Sequence, residues 1–139
     1  MISLASWLIA LSALIILTLG ALHLLYTFRG PKLRPRDASL EVRMKEVHPV
    51  LTRQTTMWKS WIGFNASHSQ GAIFFGLIYG YLALVRGALL FESPFLQLTG
   101  LAMLAGYAIL GKRYWFSVPY RCILLATAFY AAALVLARV

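Results

Sequence analysis

The sequence predicts an all-α integral membrane protein: a bundle of four transmembrane helices with both termini outside and a long second helix extending into the cytoplasm. Two observations carry that fold class. Of the 139 residues, 60% are hydrophobic and 12% charged, with a mean hydropathy of +0.74, whereas soluble domains hold about half apolar and a quarter charged residues. Four apolar segments, near 2–28, 57–91, 95–111 and 118–138, are each long enough to cross a hydrocarbon core of about 30 Å. They make one domain, 1–139, with a polar connection at 29–56.

The first span is an apolar run from Ile2 to Phe28 that contains His23 and a few hydroxyls. RGPKLRPRD ends it, because Gly30, Pro31 and Pro35 oppose helix continuation. It reads as a mature helix, since a cleaved signal sequence would need a basic n-region and no Lys or Arg precedes Arg29. The second span, from about Met57 to Phe91, reaches roughly 50 Å, more than a bilayer needs, so its first turns are expected to stand outside hydrocarbon. Ser93 and Pro94 form an N-cap and first-turn proline, opening a third span that ends by Gly111 and Lys112. Pro119 opens the fourth, which runs to Arg138.

Basic residues set the expected orientation. Arg29, Lys32, Arg34, Arg36, Arg43, Lys45, Arg53, Lys59, Lys112, Arg113 and Arg121 fall on one side, and Arg86 and Arg138 on the other. The positive-inside rule then makes both basic connections cytoplasmic. In a bacterial source the expected location is the inner membrane. The net charge of +9 is a topology signal, with anionic lipid headgroups as counter-ions. It does not indicate nucleic-acid binding, because no independent fold carries these residues. Within the first connection, Leu40, Met44, Val47 and Leu51 recur at helical spacing, which predicts a short helix lying on the headgroups. Pro49 would stop it, and Thr55 or Thr56 would cap the second span. The single cysteine, Cys122, reads as an inert thiol in the fourth span, with a thiolate activated by the neighbouring Arg121 as the alternative.

The second span carries polar residues in with it: WKSWIGFNASHSQ. At 100° per residue, Trp58, Trp61, Asn65, His68, Ala72, Phe75 and Tyr79 share a stripe about 80° wide. Hydrogen-bonding side chains are costly against lipid, so this stripe should face protein. His23, about five residues before the end of the first span, is expected at similar depth to His68. Arg121, at the start of the fourth, is expected near the same boundary. An amide, two imidazoles and a guanidinium at one depth make a candidate site. The bland reading stands beside it: belt aromatics and interhelical hydrogen bonds.

NASHSQGAIFFGLIYGYL resembles the second-helix signature of the MAPEG superfamily, the membrane-associated proteins of eicosanoid and glutathione metabolism. LGKRYWFSVPYRCILLATAFY is similar to that family's third-to-fourth connection, where Pro-x-Arg opens the last span. The resemblance implies a homotrimer that holds glutathione between subunits and acts on lipophilic substrates. It implies a thiol-peptide-binding role for Asn65 and thiolate stabilisation by Arg121. The chain departs from the pattern where the family has Glu and finds His68, and where the family has two Arg and finds Trp61 and Trp58. Indole cannot replace guanidinium as a bidentate carboxylate partner, which directs the site toward a flatter, less anionic ligand.

Three functions follow from these residues. The foremost is a noncatalytic protein on a MAPEG-like scaffold, binding a lipid or other hydrophobic ligand or serving as an accessory subunit of a larger membrane complex. The second is a thiol-dependent transferase or peroxidase with Arg121 and His68 as catalytic residues and Asn65, Trp58, Trp61 and His23 around the ligand. The third is a haem protein with His23 and His68 as axial ligands. No phosphate-loop, zinc or hydrolase spacing occurs.

Overall fold

The computed structural model describes residues 2–138, and among them every regular element is a helix. In chain order these are α1 (Leu4–Phe28), α2 (Ala38–Glu46), α3 (Met57–Val85), α4 (Gly87–Glu92), α5 (Pro94–Tyr114) and α6 (Ser117–Leu136). Four of them, α1, α3, α5 and α6, are long and apolar enough to cross a membrane. The chain is accordingly a multi-pass membrane protein. Its contacts divide it into two compact units, one made of residues 1–19 with 72–139 and the other of residues 20–71.

In the first unit the core gathers small and large side chains from the start of α1, the end of α3, and α4 to α6. Ile9, Leu90, Leu104, Ala126, Tyr130 and Ala133 are fully buried there. Small residues let backbones approach, the packing device open to helices that lack a hydrophobic drive between them. A Cβ on Gly76 would lie 2.5 Å from Leu17 Cβ and 2.8 Å from the Ala13 carbonyl oxygen, so α1 and α3 are in backbone contact there. At Gly100 a Cβ would lie 2.2 Å from Tyr130 Oη. That vacancy admits a polar knot. The Tyr79 hydroxyl donates to the Leu96 carbonyl at 2.7 Å and the Tyr130 hydroxyl to the Gln97 carbonyl at 3.1 Å. The two rings meet edge to face at 5.8 Å, and Phe75 stacks on Tyr79 at 4.6 Å.

Element boundaries correct the sequence reading in three places. The second span is not one helix to Phe91, because Arg86 leaves helical geometry (φ −130°, ψ 41°) and α4 begins afresh at Gly87. A Cβ on Gly87 would lie 3.3 Å from Ser6 Oγ, so the break falls where glycine brings the chain close to α1. Gly111 does not end the third span, which continues to Tyr114. It is buried, and it leaves room for Tyr120 and Trp115, the nearest side chains to the position of a Cβ. The amphipathic helix stops at Glu46, so Val47 and Leu51 fall outside it. Ser93 and Pro94 open α5 as expected, with Ser93 Oγ accepting from the Leu96 amide at 3.4 Å. Thr56 caps α3, its hydroxyl accepting from the Lys59 amide at 3.3 Å.

In the second unit the end of α1 and the beginning of α3 carry the connection between them. Gly30 turns the chain out of α1 with φ +83°, a conformation that side chains resist. Asp37 caps α2 by accepting from the Ser39 amide at 2.8 Å. The Met57 amide donates to the Val47 carbonyl at 2.8 Å, and His48 Nδ1–H to the Thr55 carbonyl at 2.7 Å, closing the return to α3.

Candidate functional site

Two ionisable rings and an amide meet inside the second unit. Asn65 is held by its own helix, with Nδ2 donating to the Trp61 carbonyl one turn back at 2.8 Å. This fixes the amide so that Oδ1 faces α1, where His23 Nε2 stands 2.9 Å away. A carbonyl oxygen only accepts, so the network assigns His23 its hydrogen on Nε2 and leaves Nδ1 as the acceptor. His68, one turn beyond Asn65, meets the His23 ring edge to face at 5.5 Å between centroids. Ser69, fully buried, donates to the Asn65 carbonyl at 2.8 Å. Thr27 likewise donates to the His23 carbonyl at 2.8 Å. His23, Thr27, Asn65 and Ser69 each bond to a backbone carbonyl or to a partner side chain, as a low-dielectric setting requires.

The two indoles are fastened as well. Trp61 Nε1–H donates to the Leu33 carbonyl at 3.1 Å, across 28 residues of sequence, and so ties the connection to α3. Trp58 lies under the Lys45 ammonium, which is 5.3 Å from its ring centroid, so α2 is drawn onto the same helix. Of the residues singled out in the sequence, the structure therefore brings together His23, Asn65 and His68, with Trp61 and Trp58 one and two turns before Asn65 on α3. Arg121 is exposed near the start of α6, within the other unit. Cys122 beside it is partly buried and carries a free thiol.

Sequence reasoning missed the cavity next to these residues. It has a volume of about 210 Å³ and is lined by Tyr26, Thr27, Gly30, Leu33, Arg34 and Trp58 among others. The Lys32 ammonium stands 3.9 Å from the centroid of the Tyr26 ring, one of its walls. Arg34 is the basic residue of the connection that lines the cavity, a placement that follows from the turn at Gly30 and that composition does not encode.

The chemistry open to this arrangement is narrow. Haem does not fit between His23 and His68. The rings touch edge to face, His23 Nε2–H is directed at Asn65, and no slot for a porphyrin plane separates them. Among the described residues no group of three His, Cys, Asp or Glu side chains could hold a metal ion. Both halves of the Asn65 amide hold protein partners, the Trp61 indole donates to the Leu33 carbonyl, and Trp58 lies under the Lys45 ammonium. Comparison with protein-family models, curated proteins and solved structures returns no match to this chain.

Proposed function

We propose that this chain is a noncatalytic, multi-pass membrane protein that binds a membrane-resident amphiphile at the 20–71 unit, on a scaffold of the MAPEG kind in layout. The observation that carries this reading is the closed bonding of its polar stripe: His23 to Asn65, Asn65 to the Trp61 carbonyl, and Trp61 to the Leu33 carbonyl. Catalysis needs a polar group poised toward a reactant and stronger in its contacts to the transition state than to the ground state. Here Asn65 and Trp61 brace two helix ends and the connection between them. What this fastening leaves beside it is a small cavity walled by Tyr26, Phe28, Trp58 and one cation, Arg34, a composition suited to the boundary between headgroups and acyl chains.

The test is a ligand survey on the purified chain in detergent. Lipids retained through purification and counted by native mass spectrometry, with no thermal shift on adding glutathione, are the expected result. Thiol-dependent turnover of a lipophilic electrophile or peroxide that disappears in Arg121→Ala would overturn the reading in favour of an enzyme.

A further inference from the structure

The cavity beside the polar stripe has a cation in its wall, Arg34, and a second beside it, Lys32 over the Tyr26 ring. We propose that it is a headgroup site for an anionic glycerophospholipid, with the phosphate held at Arg34 and Lys32. This rests on the lipid-binding reading above and names the class of lipid.

Four observations lead there. First, the connection from Arg29 to Thr56 carries seven basic residues against three acidic ones. Second, all three acids are occupied within the connection. Asp37 caps α2 through Ser39, Glu41 takes the Lys45 ammonium at 2.6 Å, and Glu46 faces the Arg43 guanidinium at 3.5 Å. Third, Arg34 lines the cavity while its ion pair with Glu41 is stretched to 3.9 Å and its side chain is 58% exposed, so its guanidinium retains donors for an incoming anion. Lys32 stands over the Tyr26 wall and supplies the second cation. Fourth, the size fits a headgroup. At about 210 Å³ the cavity is smaller than the roughly 300–1,000 Å³ of sites that enclose a drug-sized ligand.

The end of α1 opposes an anion, because its last carbonyls carry partial negative charge, but that influence fades beyond the terminal turn. Guanidinium matches phosphate geometry through paired N–H donors, and the ammonium adds a compact charge. Trp58 and Tyr26 present the apolar body and polar edge that suit the level of the glycerol backbone. A choline headgroup would bring its own ammonium among these cations, so the site should select phosphatidylglycerol over phosphatidylcholine.

The experiment titrates the full chain in a neutral detergent with dioctanoyl phosphatidylglycerol, dioctanoyl phosphatidylcholine and inorganic phosphate, read by thermal shift and indole fluorescence. Phosphatidylglycerol should bind saturably, about tenfold more tightly than phosphatidylcholine, and Arg34→Gln should weaken it about tenfold, the scale of one charged hydrogen bond. Arg53→Gln removes the same charge from an exposed place in the connection and should change binding by less than about twofold, consistent with screened attraction. Equal losses in the two variants would mean diffuse attraction and would overturn the site. Equal affinity for the two lipids would remove the anionic class while leaving the lipid-binding reading intact. Absence of lipid binding altogether would remove both. Inorganic phosphate binding as tightly as phosphatidylglycerol would overturn the lipid source.

Discussion

Asn65 uses both halves of its amide, one toward its own helix and one toward His23. Asn65→Leu leaves the His23 N–H without its acceptor, and the expected loss is about 1 kcal/mol, within the range of interhelical bonds in membranes. Adding His23→Phe removes the orphaned donor, so the double variant should be less destabilised than the two single losses summed. Unfolding in mixed micelles measures the cycle, and a coupling indistinguishable from zero would deny the bond a role in stability. Gly100 is a second point of close contact. Gly100→Ala forces a methyl against the Tyr130 hydroxyl and should cost roughly 1–3 kcal/mol. Gly106→Ala, on the same helix with open space around it, should be neutral or slightly stabilising. The stripe on α3 was legible because helical periodicity is local: Asn65, His68, Phe75 and Tyr79 all turn inward to protein partners. The partners of two of these residues were not spelled out in the same way. His23 lies 42 residues from Asn65, and Tyr130 is 30 residues beyond Gly100, so only the packed chain discloses that a glycine there makes room for a hydroxyl.

At the level of elements, caps were legible and breaks were not. Ser93, Pro94 and Thr56 act within their own turn, where residue type alone decides the bond. The break at Arg86 coincides with the approach of Gly87 to Ser6, a residue some eighty positions earlier, and an apolar run gives no local sign of it. The same holds for Gly111, which looks like a helix terminator until α6 folds back against it. α2 is the element most open to experiment. Glu41 is held below its ordinary carboxylate range, first by the hydrogen bond from Lys45 and then by the charges of Lys45 and Arg34. Asp37 is lowered by the Ser39 hydroxyl and amide. A depressed folded pKa contributes stability that is present above the unfolded value and is lost as pH falls through the folded one. The ordinary values are 3.8 for Asp37 and 4.5 for Glu41, so α2 should stay ordered at pH 6 and loosen as pH drops below about 4. Hydrogen exchange over residues 38–46 reads this directly. Asp37→Asn with Glu41→Gln should flatten the pH response, and an unchanged response in that variant would place its origin elsewhere.

For the whole molecule, the unequal distribution of cations makes the strongest prediction. Eleven basic residues fall in the connection before α3 or near the helix ends beside it and beside the α5–α6 turn, and Arg86 and Arg138 fall near the other helix ends. Lys and Arg near span ends set orientation while Asp and Glu count for little, so the three acids of the first connection do not weaken the bias. Glu41 pairs with Lys45 and Arg34 and Glu46 with Arg43, yet the connection keeps an excess of cations, the charge that attracts anionic lipid. Residues 29–56 should therefore lie in the cytoplasm, and Glu92, after the end of α3, on the far side. With Cys122→Ala as background, Gln54→Cys should react with a membrane-impermeant maleimide only in inverted or opened membranes. Glu92→Cys should react in intact cells, because α3 at 29 residues crosses once between the two positions. Labelling of both from the same face would mean that α3 does not span. Labelling in the reverse sense would mean that partner chains, rather than this chain's own cations, decide its orientation, and the headgroup cavity would then open toward the leaflet with the lower anionic charge.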